Sequence, residues 1–228
     1  MALPISRNEL IFPGPDEADE SGLLAIGGDL SIERLKLAYS NGIFPWYEEG
    51  MPILWWSPDP RMVLFPEKMI ISHSLKQVVK KNNFRITFDR EFEQVIEECS
   101  ATPRKDQEGT WITREMKHAY IRLHKAGFAH SVEAWNGGKL VGGLYGVAIG
   151  RAFFGESMFH KETNASKVAL VQLVEKFKLW EFEIIDAQVY TNHLESLGGE
   201  LIPRGVYLKF LEKALLKPGK EGLWDKES

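Results

Sequence analysis

Ala129-His130-Ser131-Val132-Glu133-Ala134-Trp135-Asn136-Gly137-Gly138-Lys139-Leu140-Val141-Gly142-Gly143-Leu144-Tyr145-Gly146-Val147-Ala148 is the stretch that decides the fold. Two apolar runs, Ala129–Trp135 and Leu140–Ala148, flank Asn136-Gly137-Gly138. An Asn-Gly pair between such runs supplies the positive-φ residues of a tight hairpin. Arg151–Phe159 predicts a third strand. Ala165–Trp180 then reads as a long helix, with Val168, Leu170, Val171 and Val174 among its apolar positions. Phe182–Ala187 is a run of the buried-strand type, and a last helix covers about Gly205–Leu216. Three antiparallel strands, a helix and another strand make an α+β layer.

Upstream, Met62–Phe65 predicts a short strand and His73–Lys81 a helix. Phe84, Ile86 and Phe88 alternate with polar residues as a strand does, and residues 90–99 are helical and acidic. Thr113 caps a helix whose apolar face is Met116, Ala119, Tyr120 and Leu123, ending at Gly127. Residues 1–60 hold Pro13-Gly14-Pro15, Gly27-Gly28-Asp29, Phe44-Pro45-Trp46 and Ser57-Pro58-Asp59-Pro60. One helix is legible there, capped by Ser31, with Leu35 and Ala38 on one face and Gly42 as its stop. The expectation is a small irregular N-terminal unit, residues 1–61, packed by its aromatics, before a larger domain, residues 62–228.

The 228 residues suit one large domain, or a core domain with an appendage. At 44% hydrophobic and 11% aromatic they suffice for a sizeable core. No run of ~18 apolar residues exists. Met1-Ala2-Leu3-Pro4 leads into no basic stretch followed by an apolar one. Neither a membrane span nor a secretory signal is therefore expected. Cys99 is the single cysteine, which excludes an internal disulfide and suits a cytoplasmic protein. With a net charge of −4, any nucleic-acid binding has to rest on a local basic patch.

Cys99 follows Glu97 and Glu98, whose charge suppresses a thiolate, so it reads as structural. His73, His118, His124, His130, His160 and His193 form neither an HExxH pattern nor a Cys/His cluster with metal spacing, and no metal is expected. A Gly-x-Ser-x-Gly elbow, a P-loop and a dinucleotide-binding GxGxxG are all missing from the sequence. Covalent, metal and nucleotide chemistry lose support together.

Polar residues on strands remain. Asp186 and Gln188 end the run Glu183-Ile184-Ile185-Asp186-Ala187-Gln188, and a spacing of two points both to one face. A carboxylate beside an amide orients the hydrogens of an amine; equally, the pair ties down the next loop. Gly155-Glu156-Ser157 interrupts Phe153-Phe154 and Met158-Phe159. Glycine within a strand marks a bulge or the close approach of a ligand. Glu156 is costly to bury unless paired, so it either meets an internal Lys or Arg or awaits a cationic ligand. Trp46 and Trp111 fall in loops, where an indole either stacks on a nucleobase, at ~1–3 kcal/mol, or packs the two units together. Lys76, Lys80, Lys81 and Arg85 put four positive charges within ten residues. They are the best phosphate-contact candidate, against the plainer reading of a solvated helix face.

These residues also carry a resemblance. Gly22-Leu23-Leu24-Ala25-Ile26-Gly27-Gly28-Asp29-Leu30, Gly42-Ile43-Phe44-Pro45-Trp46 and Ile53-Leu54-Trp55-Trp56-Ser57-Pro58-Asp59-Pro60-Arg61 resemble successive motifs of bacterial leucyl/phenylalanyl-tRNA–protein transferases. So do Gly109–Thr113, Ala129–Glu133, Leu140–Gly143, Gly155–Phe159, Asn164–Lys167 and Ile185–Gln188, in the family's order, from about residue 10 to 210. The resemblance implies a small N-terminal domain and a C-terminal domain of the GCN5-related acyltransferase fold. Lys161-Glu162-Thr163-Asn164-Ala165-Ser166 departs from the glycine-rich pyrophosphate loop of acetyl-CoA users and suits an acyl group arriving on tRNA.

By the same resemblance, Trp46 and Trp111 flank the donor's terminal adenosine. Leu144, Phe153, Leu170, Leu173 and Ile185 line the pocket for its amino-acid side chain, and Glu156 and Ser157 complete the substrate site. Leu or Phe, and Met more weakly, passes to proteins beginning with Arg or Lys and marks them for degradation, without cofactor, metal or membrane. Glu156 and Asp186 supply negative charge for the cationic acceptor. Gln188 accepts a hydrogen bond from the attacking amine, with Asp186 polarising its amide; the donor's ribose hydroxyl is the other candidate for the proton. Two further functions stay open: an N-acetyltransferase of the same fold, and a non-catalytic reader of N-termini or tRNA ends.

Overall fold

The computed structural model describes residues 2–102, 112–220 and 222–227. The N-terminal part is more regular than its glycine and proline content suggests. It contains β1 (Leu3–Ile5), β2 (Leu23–Gly27), α1 (Ile32–Ser40), β3 (Phe44–Pro45) and β4 (Leu54–Trp56). The strands form a four-stranded sheet in the order β1-β2-β4-β3, so the expectation of an irregular unit is corrected. Strands of two to five residues punctuated by turns leave no alternation long enough to read. Ser31 caps α1 by accepting from Arg34 N at 3.3 Å, as expected.

The larger part runs β5 (Arg61–Leu64), α2 (His73–Lys81), β6 (Arg85–Phe88), α3 (Phe92–Ala101), α4 (Arg114–Lys125), β7 (Ala129–Asn136), β8 (Lys139–Ile149), β9 (Ala152–His160), α5 (Ala165–Leu179), β10 (Ile184–Gln188), α6 (Asn192–Glu195), β11 (Glu200–Ile202) and α7 (Arg204–Leu215). Its seven-stranded sheet has the order β11-β5-β10-β9-β8-β7-β6. β6 to β9 are antiparallel neighbours, β10 lies parallel to β9, and β5 and β11 complete a mixed sheet. The order of three antiparallel strands, helix and strand is the one the hairpin stretch predicts, with Gly137 and Gly138 at positive φ in its turn. Thr113 caps α4 by accepting from Met116 N at 3.2 Å.

The sheet separates two buried clusters. One joins Phe84, Val132, Leu144, Phe153 and Ile185 to the apolar face of α5 and to Trp224. The other joins Phe92, Ile96, Tyr120, Tyr145 and Phe154 to Leu35, Tyr39, Ile43 and Trp55 of the N-terminal part. The division proposed between residues 61 and 62 falls inside β5, and the core crosses it. No helix among the described residues is long and apolar enough to cross a membrane.

Candidate active site

β9 and β10 pair as Ile184 with Ala152, Ile185 with Phe153 and Asp186 with Phe154, and the pairing stops there. Beyond it each strand carries an extra residue. Against β8, Tyr145 faces Ser157 and Gly146 faces Gly155, which leaves Glu156 unpaired. Against β5, Asp186 faces Val63 and Gln188 faces Met62, which leaves Ala187 unpaired. Bulges of this kind bend a strand and re-aim a side chain. Gln188 also adopts a left-handed φ of 65°. The result is that Gln188 Nε2 donates to Glu156 Oε1 at 2.8 Å.

Where the strands part, a cavity of about 390 Å³ opens. That is near the lower end of the ~300–1,000 Å³ usual for small-molecule sites. Its apolar wall follows from register: Leu144 sits opposite Met158, Phe153 sits opposite Ile185, and Leu170 of α5 covers them. Gly146 lets the Phe153 ring cross β8, because a Cβ there would lie 2.5 Å from that ring. Trp46, Ser157, Glu156 and Gln188 also line the cavity, and Trp46 packs on Trp56 with ring centroids 5.8 Å apart.

Glu156 is buried and, among the described residues, meets neither a lysine nor an arginine. It sits among hydroxyls: Tyr39 Oη donates to Oε1 at 2.7 Å and Tyr120 Oη to Oε2 at 2.9 Å, and the two tyrosine hydroxyls also touch each other. Burial is the largest influence and pushes the carboxyl up to about 7, although its three hydrogen-bond donors act the other way. The proton count agrees. With an ionised Glu156, both tyrosine protons go to the carboxylate and none remains between the hydroxyls. In a neutral carboxyl the Tyr120 contact runs the other way and the ring closes: Oε2–H donates to Tyr120, Tyr120 to Tyr39, and Tyr39 to Oε1. Gln188 completes the set through Nε2, which leaves its carbonyl oxygen for another donor.

Of the two roles its spacing left open, Asp186 takes the tie to the chain that follows it, through the Gln188 backbone. It is fully buried and does not line the cavity. Arg61 grips it with two bonds, Nε to Oδ1 at 2.8 Å and Nη2 to Oδ2 at 2.6 Å. Tyr207 Oη adds a third at 2.8 Å and the Gln188 backbone N–H a fourth at 2.9 Å. Arg61 in turn lies between the rings of Phe44 and Tyr207, each centroid 4.8 Å from its guanidinium carbon. The expected polarisation of the Gln188 side chain by Asp186 is therefore corrected: Glu156 takes that amide, and Asp186 holds the backbone. Nor does Asp186 offer net negative charge to a ligand, since Arg61 neutralises it.

The other anticipated residues are spread out. Leu173 lies in the core behind the cavity wall. Trp111 is outside the described residues. Lys76, Lys80 and Lys81 are exposed on α2, and Arg85 is exposed with its guanidinium over Trp135 at 5.5 Å. Sequence reasoning passed over Tyr39, Arg61 and Tyr207, and took Tyr120 for a core residue. Their only signal was a polar tip on an otherwise apolar helix face or strand, which burial forces to find a partner.

Residues 63–212 match the family described as leucyl/phenylalanyl-tRNA protein transferase, and residues 28–59 match the N-terminal domain of that family. A leucyl/phenylalanyl-tRNA–protein transferase of Anaeromyxobacter sp. is 53% identical over 225 residues, covering 99% of this chain and 96% of its own. That of Myxococcus xanthus is 54% identical over 214 residues, covering 94% and 92%. Among solved structures, a GCN5-related N-acetyltransferase-like protein from Streptococcus suis is 14% identical, with a TM-score of 0.36 over 74% of this chain and 62% of that one.

Proposed function

The chain belongs to the leucyl/phenylalanyl-tRNA–protein transferase family, enzymes that move an aminoacyl group from tRNA to protein, and on that premise we propose that its cavity delivers leucine or phenylalanine to proteins beginning with Arg or Lys. The observation that carries this is the junction, in one cavity, of an apolar wall and the Glu156–Gln188 pair. Leu144, Phe153, Leu170 and Ile185 receive the donor's side chain. Such a wall separates one methylene from the next by only ~1–3 kcal/mol, so Leu and Phe are both accepted and Met more weakly. Trp46 stacks on the terminal adenosine with Trp111 as its partner, and Lys76, Lys80, Lys81 and Arg85 contact phosphates of the tRNA body.

The donor ester is already activated, so no enzyme nucleophile is required. A peptide α-amine with pKa ~7.7–8.0 has an appreciable neutral fraction at pH 7. Alignment of amine and ester supplies ~7–11 kcal/mol of the barrier. Gln188 accepts a hydrogen of the attacking amine through its free carbonyl oxygen, held in place by Glu156. An amide carbonyl is too weak a base to keep that proton. As the new amide bond forms and the ester C–O bond breaks, the proton passes to the departing ribose oxygen, with the neighbouring hydroxyl as relay. Glu156, whose carboxyl burial pushes up to about 7, faces the acceptor's cation. Membership of this family speaks against the two alternative functions, an N-acetyltransferase and a non-catalytic reader. The product is an N-terminal degradation signal made in the cytoplasm.

The test is incubation with labelled Leu-tRNA and peptides beginning Arg, Lys or Ala. Label enters the first two only; equal labelling of all three removes the acceptor assignment, and labelling of none removes the reaction.

A further inference from the structure

Three basic side chains outside the Glu156–Gln188 pair meet at one end of the cavity. His193 lines it. Lys167 stands one turn before Leu170 on α5, on the same helix face. His160 stands two residues beyond Met158 on β9, on the same strand face. Leu170 and Met158 both line the cavity, and the charges of Lys167 and His160 reach His193, which lines it too. Register agrees: His160 pairs with Gly142, and a Cβ on Gly142 would lie 2.6 Å from Ala165 at the start of α5.

The side chains of Lys167, His160 and His193 have no hydrogen-bond or ion-pair partner among the described residues. His193 Nε2 is buried and unsatisfied. Nearby carboxylates are committed elsewhere: Glu162 accepts from Asn136 Nδ2 at 2.9 Å, and Glu195 from Tyr190 Oη at 2.8 Å. The first turn of α5 carries no acidic residue, and its backbone dipole adds positive potential. Burial, then the charges of Lys167 and His160, lower the His193 pKa from its ordinary value, as repulsion without an anion would. Lys161, the residue after His160, is paired with Glu98. The buried His193 Nε2, left without a partner, costs stability and awaits a ligand that completes it.

We propose that Lys167, His160 and His193 bind the phosphodiester that joins the donor's terminal nucleoside to the rest of the tRNA. The assignment rests on the reading of the cavity as the aminoacyl-nucleoside site. A phosphate beside that nucleoside is the anion such a donor brings to the rim, and one oxygen for each donor satisfies the cluster. The contact makes the enzyme prefer a polynucleotide end over an isolated aminoacyl nucleoside.

The experiment compares two donors that differ in that phosphate, Leu-tRNA and 3′-O-leucyl-adenosine. Lys167→Met, and separately His160→Gln, should lower the ratio of kcat/KM for Leu-tRNA over leucyl-adenosine about tenfold, the loss of one charge-assisted hydrogen bond. Lys167→Arg should restore most of it. Because the ratio cancels the folded fraction, partial unfolding does not mimic the effect. Equal losses on both donors, or none on either, overturn the phosphate site. Failure of the unmodified protein to use either donor removes the transferase reading itself and this site with it.

Discussion

Gln188 is held by two different carboxylates: its side-chain Nε2 donates to Glu156 at 2.8 Å, and its backbone N–H donates to Asp186 at 2.9 Å. The first bond sets where the amide oxygen points. The second sets where the backbone lies, and Asp186 is itself fixed by Arg61 and Tyr207. Aim and anchor are thus separable by mutation.

For the anchor, Asp186→Ala leaves Arg61 as a buried unpaired cation. The expected loss is about 3–5 kcal/mol of stability, read by urea denaturation. The double variant Arg61→Met/Asp186→Leu should regain most of that stability, because well-packed apolar groups replace a buried pair at little cost. It should not regain kcat, since the Gln188 backbone has lost its acceptor. An Asp186→Ala protein as stable as its parent contradicts the anchor.

Glu156 gives a pH signature. Its folded value of about 7 lies above the ordinary 4.5, so the folded state holds a proton that the unfolded state has released. The contribution to stability is complete below pH 4.5 and is lost as pH rises through 7. Buried Glu133, also raised chiefly by desolvation, adds the same sign. In Glu156→Gln, which mimics the neutral carboxyl, the decline between pH 4.5 and 7 should become shallower. An unaltered slope in thermal melts across that window places the proton elsewhere.

The hairpin and the strands after it were legible because Ala129–Ala148 alternates and turns on Asn136-Gly137-Gly138. Glycine before Glu156 likewise announced a bulge, and one is there. Asp186 and Gln188 misled because a spacing of two assumes an unbroken strand, and the extra residue Ala187 breaks it. Glu156 meets no cation among the described residues, and its partners, Tyr39 and Tyr120, come from helices 117 and 36 residues away in sequence. No local pattern encodes such long-range pairs. Strands of two or three residues in the N-terminal part escaped for the opposite reason, having too little sequence to show a period.

Trp224 was also invisible, lying near the end of the chain beyond any periodic segment. It stacks on His130 at 3.7 Å between centroids, and its backbone N–H donates to Asp89, which also accepts from His130. Phe153, which lines the cavity, lies on another side of it at 6.2 Å. Trp224→Ala should cost about 3–5 kcal/mol, as loss of a large core aromatic does, and chemical denaturation measures it. A loss below about 1 kcal/mol would show that the tail only rests on the surface.

The aim of Gln188 is tested most directly by a double-mutant cycle on kcat/KM for leucyl transfer from Leu-tRNA to an Arg-starting peptide, using Glu156→Ala and Gln188→Ala. If Glu156 acts by orienting Gln188, each single variant loses about 10²-fold, on the scale of removing one positioned catalytic hydrogen bond. The double variant should then lose little more than either alone, because residues acting as a unit are not additive. Losses that multiply in the double variant, to about 10⁴-fold, would mean that the two residues act independently and would contradict the proposed pairing.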